Sequence, residues 1–156
     1  MKLWILSESQ FGNGRILAKK LAEYSDKHEV MMADLKEVDP ITVAKDKPDA
    51  IIVGGAIRMF RGAPKTKKWV KNLNKILKEN NWEINYGAGF ITHGLPTEKV
   101  SGWVKRYLSK IESASAIQKV YPTIFTGKVV GQEGPFENEV LDDAKKFVEN
   151  FFKWMN

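Results

Sequence analysis

Cysteine is absent from the 156 residues, which removes disulfides, thiolate metal sites, iron–sulfur ligation and cysteine nucleophiles together. Histidine is nearly absent. His28 and His93 are the two imidazoles, and no HxxxH or HxxE spacing accompanies them, so no metal site is expected. No segment approaches the roughly 18 apolar residues of a membrane span. The N-terminus offers one lysine and a short apolar run, too little for a secretory signal, and a cytoplasmic location is expected. Repeats and low-complexity tracts are also missing.

What remains has the balance of an ordinary globular protein, 43% hydrophobic and 28% charged. The length suits one domain over residues 1–156, large enough to bury most of its apolar surface. The net charge of +6 is unevenly placed. Between Arg61 and Asn80 stand Arg61, Lys65, Lys67, Lys68, Lys71, Lys75 and Lys78 against the single acid Glu79, and the rest of the chain balances at 18 basic and 18 acidic residues. A basic element of that kind is more local than the footprint of a nucleic-acid binder, so no nucleic-acid partner is expected.

Apolar runs alternate with amphipathic stretches along the chain. Lys2–Leu6 reads as a first strand and Arg15–Ser25 as a helix with Ile16, Leu17, Leu21 and Tyr24 near one face. His28–Ala33 is a weaker second strand. Asp39-Pro40 supplies an N-cap and first position for a short helix to about Lys45. Ala50–Val53 is a buried third strand that should end at Gly54-Gly55. A helix from Pro64 to about Asn80 buries Trp69, Val70, Leu73, Ile76 and Leu77 and leaves its lysines in solvent. Ile84–Thr92 is a fourth strand, and Thr97 to about Ser113 a helix. Val120–Phe125 is a fifth strand, with Gly127–Val130 either prolonging it or forming a small added one. The last helix runs from about Glu137 to Met155.

Five alternating strands and helices imply βαβ units, hence an α/β fold with a parallel sheet and helices on both faces. Right-handed crossovers with a central first strand give the order 2-1-3-4-5, whose ligands bind beyond the strands' C-terminal ends at the switch between strands 1 and 3. Three loops would meet there: Ser7–Gly14, Gly54–Gly62 and Thr92–Pro96. The first passes from a strand through hydroxyl, amide and glycine residues into a helix, the order that suits a phosphate, because unpaired N–H groups and the positive dipole end converge at a helix N-terminus. A simple capped turn uses the same residues.

The loop Ser7-x-Ser9-x-x-Gly12-Asn13 resembles the FMN phosphate loop of flavodoxins. The segment DAIIVGGAIRMFRGAP is similar to the loop after the third strand in flavodoxin-like protoporphyrinogen dehydrogenases. That resemblance implies a three-layer, five-stranded flavodoxin-like domain with FMN as its cofactor. Ser7, Ser9, Gln10, Phe11, Gly12, Asn13 and Gly14 would then form the phosphate loop. Ala56, Ile57, Met59 and Phe60 would line the ring, with Arg58 or Arg61 near its edge to stabilise negative charge, and Thr92, His93 and Gly94 would close the other side. Gly14 stands where many relatives carry a phosphate-binding Thr, and the third loop lacks their ring-stacking tyrosine. The basic charge also differs from the acidic electron carriers.

Three functions compete on this footing. One is an FMN-dependent redox protein, an oxidoreductase linked to a protoporphyrinogen or quinone as small-molecule substrate. Another is an electron-carrier flavodoxin that docks to an acidic redox protein. The third is a flavodoxin-fold binding module without flavin. The electron donor, the redox potential and the oligomeric state are not encoded legibly.

Overall fold

The computed structural model describes residues 1–156. Its centre is the parallel pair β1 (Lys2–Ser7) and β3 (Ala50–Arg58), flanked by β2 (Glu29–Asp34) beside β1 and β5 (Ile84–His93) beside β3. Beyond β5 lies β6 (Ile117–Val120), so the main path reads β2-β1-β3-β5-β6. Counting the five principal strands alone, this is the expected 2-1-3-4-5 order.

Alternation along the strands sorts the core into two layers. Leu3, Ile5, Ala50 and Ile52 face α1 (Asn13–Glu23) and α5 (Val140–Met155), meeting Leu17, Leu21, Val148 and Phe151. Trp4, Leu6, Ile51 and Val53 face the opposite layer, formed by α2 (Pro40–Asp46), α3 (Pro64–Glu79) and α4 (Ser101–Glu112). The cap expected at Asp39 is present: its carboxylate accepts the Ile41 N–H at 3.0 Å, with Pro40 at the first helical position.

The structure departs from the sequence expectations in four places. First, β3 does not end at Gly54-Gly55 but runs through both to Arg58, then folds back as a hairpin onto β4 (Arg61–Gly62). The glycines mark close packing: a Cβ at Gly54 would stand 2.0 Å from Phe90 Cζ, and one at Gly55 2.5 Å from the Ala63 Cβ. Second, Val120–Phe125 is the gap between two strands. Pro122 has no N–H for the ladder, so pairing with β5 breaks after Tyr121, whose N–H reaches the Gly87 carbonyl, and resumes at β7 (Phe125–Lys128). With β4 and β7 the sheet has seven strands. Third, α1 begins at Asn13, inside the first loop, because Gly12 adopts the left-handed φ of 91° that ends the turn and launches the helix. Fourth, α5 starts at Val140, the chain before it being tied back through the Glu137 N–H to the Lys128 carbonyl.

Candidate functional site

The three loops foreseen at the C-terminal sheet edge do meet, and a fourth joins them. Gln10, Phe11 and Asn13 from the first, Ala56–Phe60 from the second and Thr92–Leu95 from the third line a cleft of about 430 Å³, closed by Val129, Gly131 and Gln132 from the segment after β7. A narrow recess continues from it past Ser9, Gln10 and Gly14, beneath Arg58 and Thr92. Ser7 and Gly12, expected in the phosphate loop, line neither. Ser7 is the buried end of β1, its carbonyl accepting the Leu35 N–H, and Gly12 caps α1.

The recess is a donor-rich corner. No side chain caps the N-terminus of α1 and no acidic residue stands in its first turn, so the orphan N–H groups and the positive end of the helix dipole are uncompensated there. Beside them the Ser9 hydroxyl is buried without any hydrogen-bond partner. An unpaired buried hydroxyl costs about 1–3 kcal/mol, and an oxygen-rich ligand in the recess would relieve that cost. The Asn13 side chain is already engaged, donating to the Gln132 carbonyl at 2.8 Å. What Asn13 can still offer a ligand is its N–H.

Gly14 has a spatial reason. A Cβ at that position would stand 3.1 Å from the Glu8 carbonyl oxygen and 3.4 Å from the Ser9 Cβ. The helix lies against the loop so closely that a side chain there would crowd the Glu8 carbonyl and the Ser9 side chain.

Two residues outside the sequence-based set shape the loop. Glu8 is buried, and its carboxylate accepts from the Arg58 guanidinium at 2.6 Å while the same guanidinium reaches Gln10 Oε1 at 3.1 Å. Arg58 therefore lines the cleft and braces the first loop against the hairpin, its charge compensated by Glu8. Lys36 donates from Nζ to the Ser9 carbonyl at 3.0 Å, holding the loop from the β2 side. A glutamate between two serines and a lysine after a strand carry no motif; only the folded geometry assigns them.

The wide part of the cleft is apolar and unusually presented. Phe11, Met59 and Phe60 are large hydrophobic residues left exposed on its walls. Met59 and Phe60 form the two-residue turn of the β3–β4 hairpin, both in left-handed conformation at φ 49° and 60°. Such turns favour Asn-Gly, and for other residues the left-handed region costs roughly 1–2 kcal/mol each. The chain holds two bulky apolar side chains there, 90% and 76% exposed. They are not a plug beneath a loop.

His93, at the end of β5, forms the floor. It is 2% exposed, and Nδ1 lies 2.7 Å from the Leu95 carbonyl oxygen. A carbonyl can only accept, so Nδ1 carries the proton. Burial holds the imidazole below its ordinary pKa, which leaves Nε2 a bare acceptor, buried and without a partner. The site thus pairs a small recess lined by hydrogen-bond donors and by the Arg58-paired Glu8 with a largely apolar slot that has an unpaired acceptor in its floor. No group of His, Asp or Glu side chains could hold a metal ion.

The architecture is that of flavodoxin-like proteins. The chain is similar to a flavodoxin of Streptococcus pneumoniae (14% identity, 99% of both chains covered, TM-score 0.70) and to a WrbA-like flavodoxin of Agrobacterium tumefaciens (14% identity, 98% of this chain and 96% of that one, TM-score 0.73). It is also similar to rubredoxin oxygen:oxidoreductase of Desulfovibrio gigas at 17% identity and TM-score 0.73, there covering 98% of this chain but only 35% of the larger one. Neither protein-family models nor curated proteins match the sequence. At these identities the likeness establishes the flavodoxin-like fold. No helix is long and apolar enough to cross a membrane.

Proposed function

We propose that the cleft binds FMN and that the protein transfers electrons through it. The observation that carries this reading is the buried, partnerless Ser9 hydroxyl beside the uncapped N-terminus of α1, at the closed end of an apolar slot. The donors of the first part suit a phosphate and the apolar walls of the second a planar heteroaromatic ring, and the solved structures of this fold include flavodoxins. When bound, FMN supplies one- and two-electron redox chemistry.

The protein's own residues then have separable tasks. Ser9 and the N–H groups of Asn13 and Gly14 hold the phosphate without a lysine in direct contact. Arg58, locked on Glu8 and Gln10, and Lys36, locked on Ser9, keep the loop in shape. Phe11, Ile57, Met59 and Phe60 cover the ring and exclude water from one side. His93 Nε2 accepts a hydrogen bond from a ring N–H. Two finer readings follow from the resemblance of the hairpin segment: oxidation of an anionic small molecule such as a protoporphyrinogen or a quinone-linked substrate, or electron exchange with another protein. The unfilled valences of Ser9 and His93 argue against a binding module that has abandoned its ligand, since each would be a standing cost without one.

Titration of the apoprotein with FMN, followed by flavin fluorescence, tests the reading. Micromolar or tighter binding is expected, and Ser9→Ala should weaken it by about tenfold, the loss of one charge-assisted hydrogen bond. Unchanged affinity in the variant would displace the phosphate from the recess.

A further inference from the structure

Cofactor binding gives the hairpin tip a part as a wall of the cleft but leaves the cations beside it unexplained. Phe60 extends to the Trp103 ring on α4, centroid to centroid 6.4 Å, so the exposed Met59–Phe60 pair continues into a third apolar residue outside the cleft. Around this patch stand cations without acids. Lys67 Nζ lies 3.5 Å from where a Cβ at Gly62 would be, with Trp103 Cδ1 on the same spot at 3.1 Å, and the Arg106 guanidinium lies over Gly102. None of Arg61, Lys67, Arg106 and Lys110 forms an ion pair. Burial, then the like charges of Arg106 and Lys110, depress the Lys67 ammonium below its ordinary pKa. Adjacent cations of this kind repel one another until an anion arrives.

We infer that the face formed by the β3–β4 hairpin tip, Trp103 and the cations Arg61, Lys67, Arg106 and Lys110 docks the acidic rim of a second redox protein. An apolar group of Met, Phe and Trp with arginine and lysine beside it matches a protein interface with an apolar centre and a charged rim. A nucleic-acid surface would instead carry basic side chains in a stripe along the backbone's path. The position matters as much as the composition, because the hairpin is at once a wall of the cleft and the centre of the patch. A protein seated there would lie against the site where the flavin ring is placed. The choice of a redox partner rests on the proposed function; the docking of an acidic surface does not.

The test uses an acidic [2Fe–2S] ferredoxin as probe and basic cytochrome c as its electrostatic opposite. Calorimetry with the flavin-free protein reads docking alone, and stopped-flow oxidation of reduced ferredoxin by the FMN-loaded protein reads transfer. Ferredoxin should bind more tightly than cytochrome c at low salt. Its transfer rate should fall about tenfold between about 20 and 200 mM salt, and Lys67→Glu/Arg106→Glu should reduce it by a similar factor at low salt without changing FMN affinity. Unchanged rates in that variant would overturn the inference. So would equal binding of cytochrome c, or tighter binding of duplex DNA or anionic vesicles. Ferredoxin binding without FMN binding would sustain the docking surface and defeat the flavin reading. FMN binding without ferredoxin binding would do the reverse.

Discussion

Single atoms carry most of the functional reading. Ser9 Oγ and His93 Nε2 are the two buried side-chain polar atoms left without a partner, and both belong to one cleft. Neither property is written in the sequence: Ser9 fits a capped turn as well as a phosphate loop, and His93 reads as a polar turn residue until burial and the Leu95 carbonyl fix its tautomer. His93 also sets a pH dependence. In the unfolded chain it binds a proton near pH 6.5, and in the folded protein burial defers that proton to lower pH. The unfolded state therefore holds more protons below about pH 6.5, and stability falls with pH from there until the folded-state pKa is passed. His28, lowered chiefly by burial, acts in the same direction. Urea unfolding at about pH 7 and about pH 5 should show this loss, and His93→Gln should shrink it. An unchanged loss in the variant would mean that His93 does not titrate as a buried group.

At the scale of elements, the strands and helices whose apolar residues recur regularly were legible, down to the Asp39-Pro40 cap. What escaped were places where chemistry and usual preference part. The β3–β4 hairpin was hidden because its turn is Met59-Phe60 rather than Asn-Gly, and the glycines before it suggested an end where they serve close packing, Gly54 under Phe90 and Gly55 against Ala63. The closing wall at Val129–Gln132 was equally hidden: Gly131 marks a loop but not where the loop returns. The hairpin yields a direct trade. Met59→Asn with Phe60→Gly should relieve the left-handed strain and stabilise the fold by about 1 kcal/mol, while removing two walls of the slot and weakening FMN. Denaturant unfolding and flavin titration on the same variant check both halves; tighter FMN binding would show that the tip has no part in holding the ring.

For the whole molecule, the sheet order followed from alternation, handedness and a central first strand, and the likeness to flavodoxins across nearly the full chain agrees with it. The charge distribution sets this chain apart from an acidic carrier, since its excess of +6 sits within residues 61–80, on α3 and the short strand before it. All of this depends on the recess being a phosphate site. The direct measurement is the ratio of FMN to riboflavin affinity, since the two ligands differ by the phosphate alone. With several charge-assisted hydrogen bonds at roughly 1.5–3 kcal/mol each, FMN should bind at least about 100-fold more tightly. Equal affinities, or binding of neither, would contradict the account.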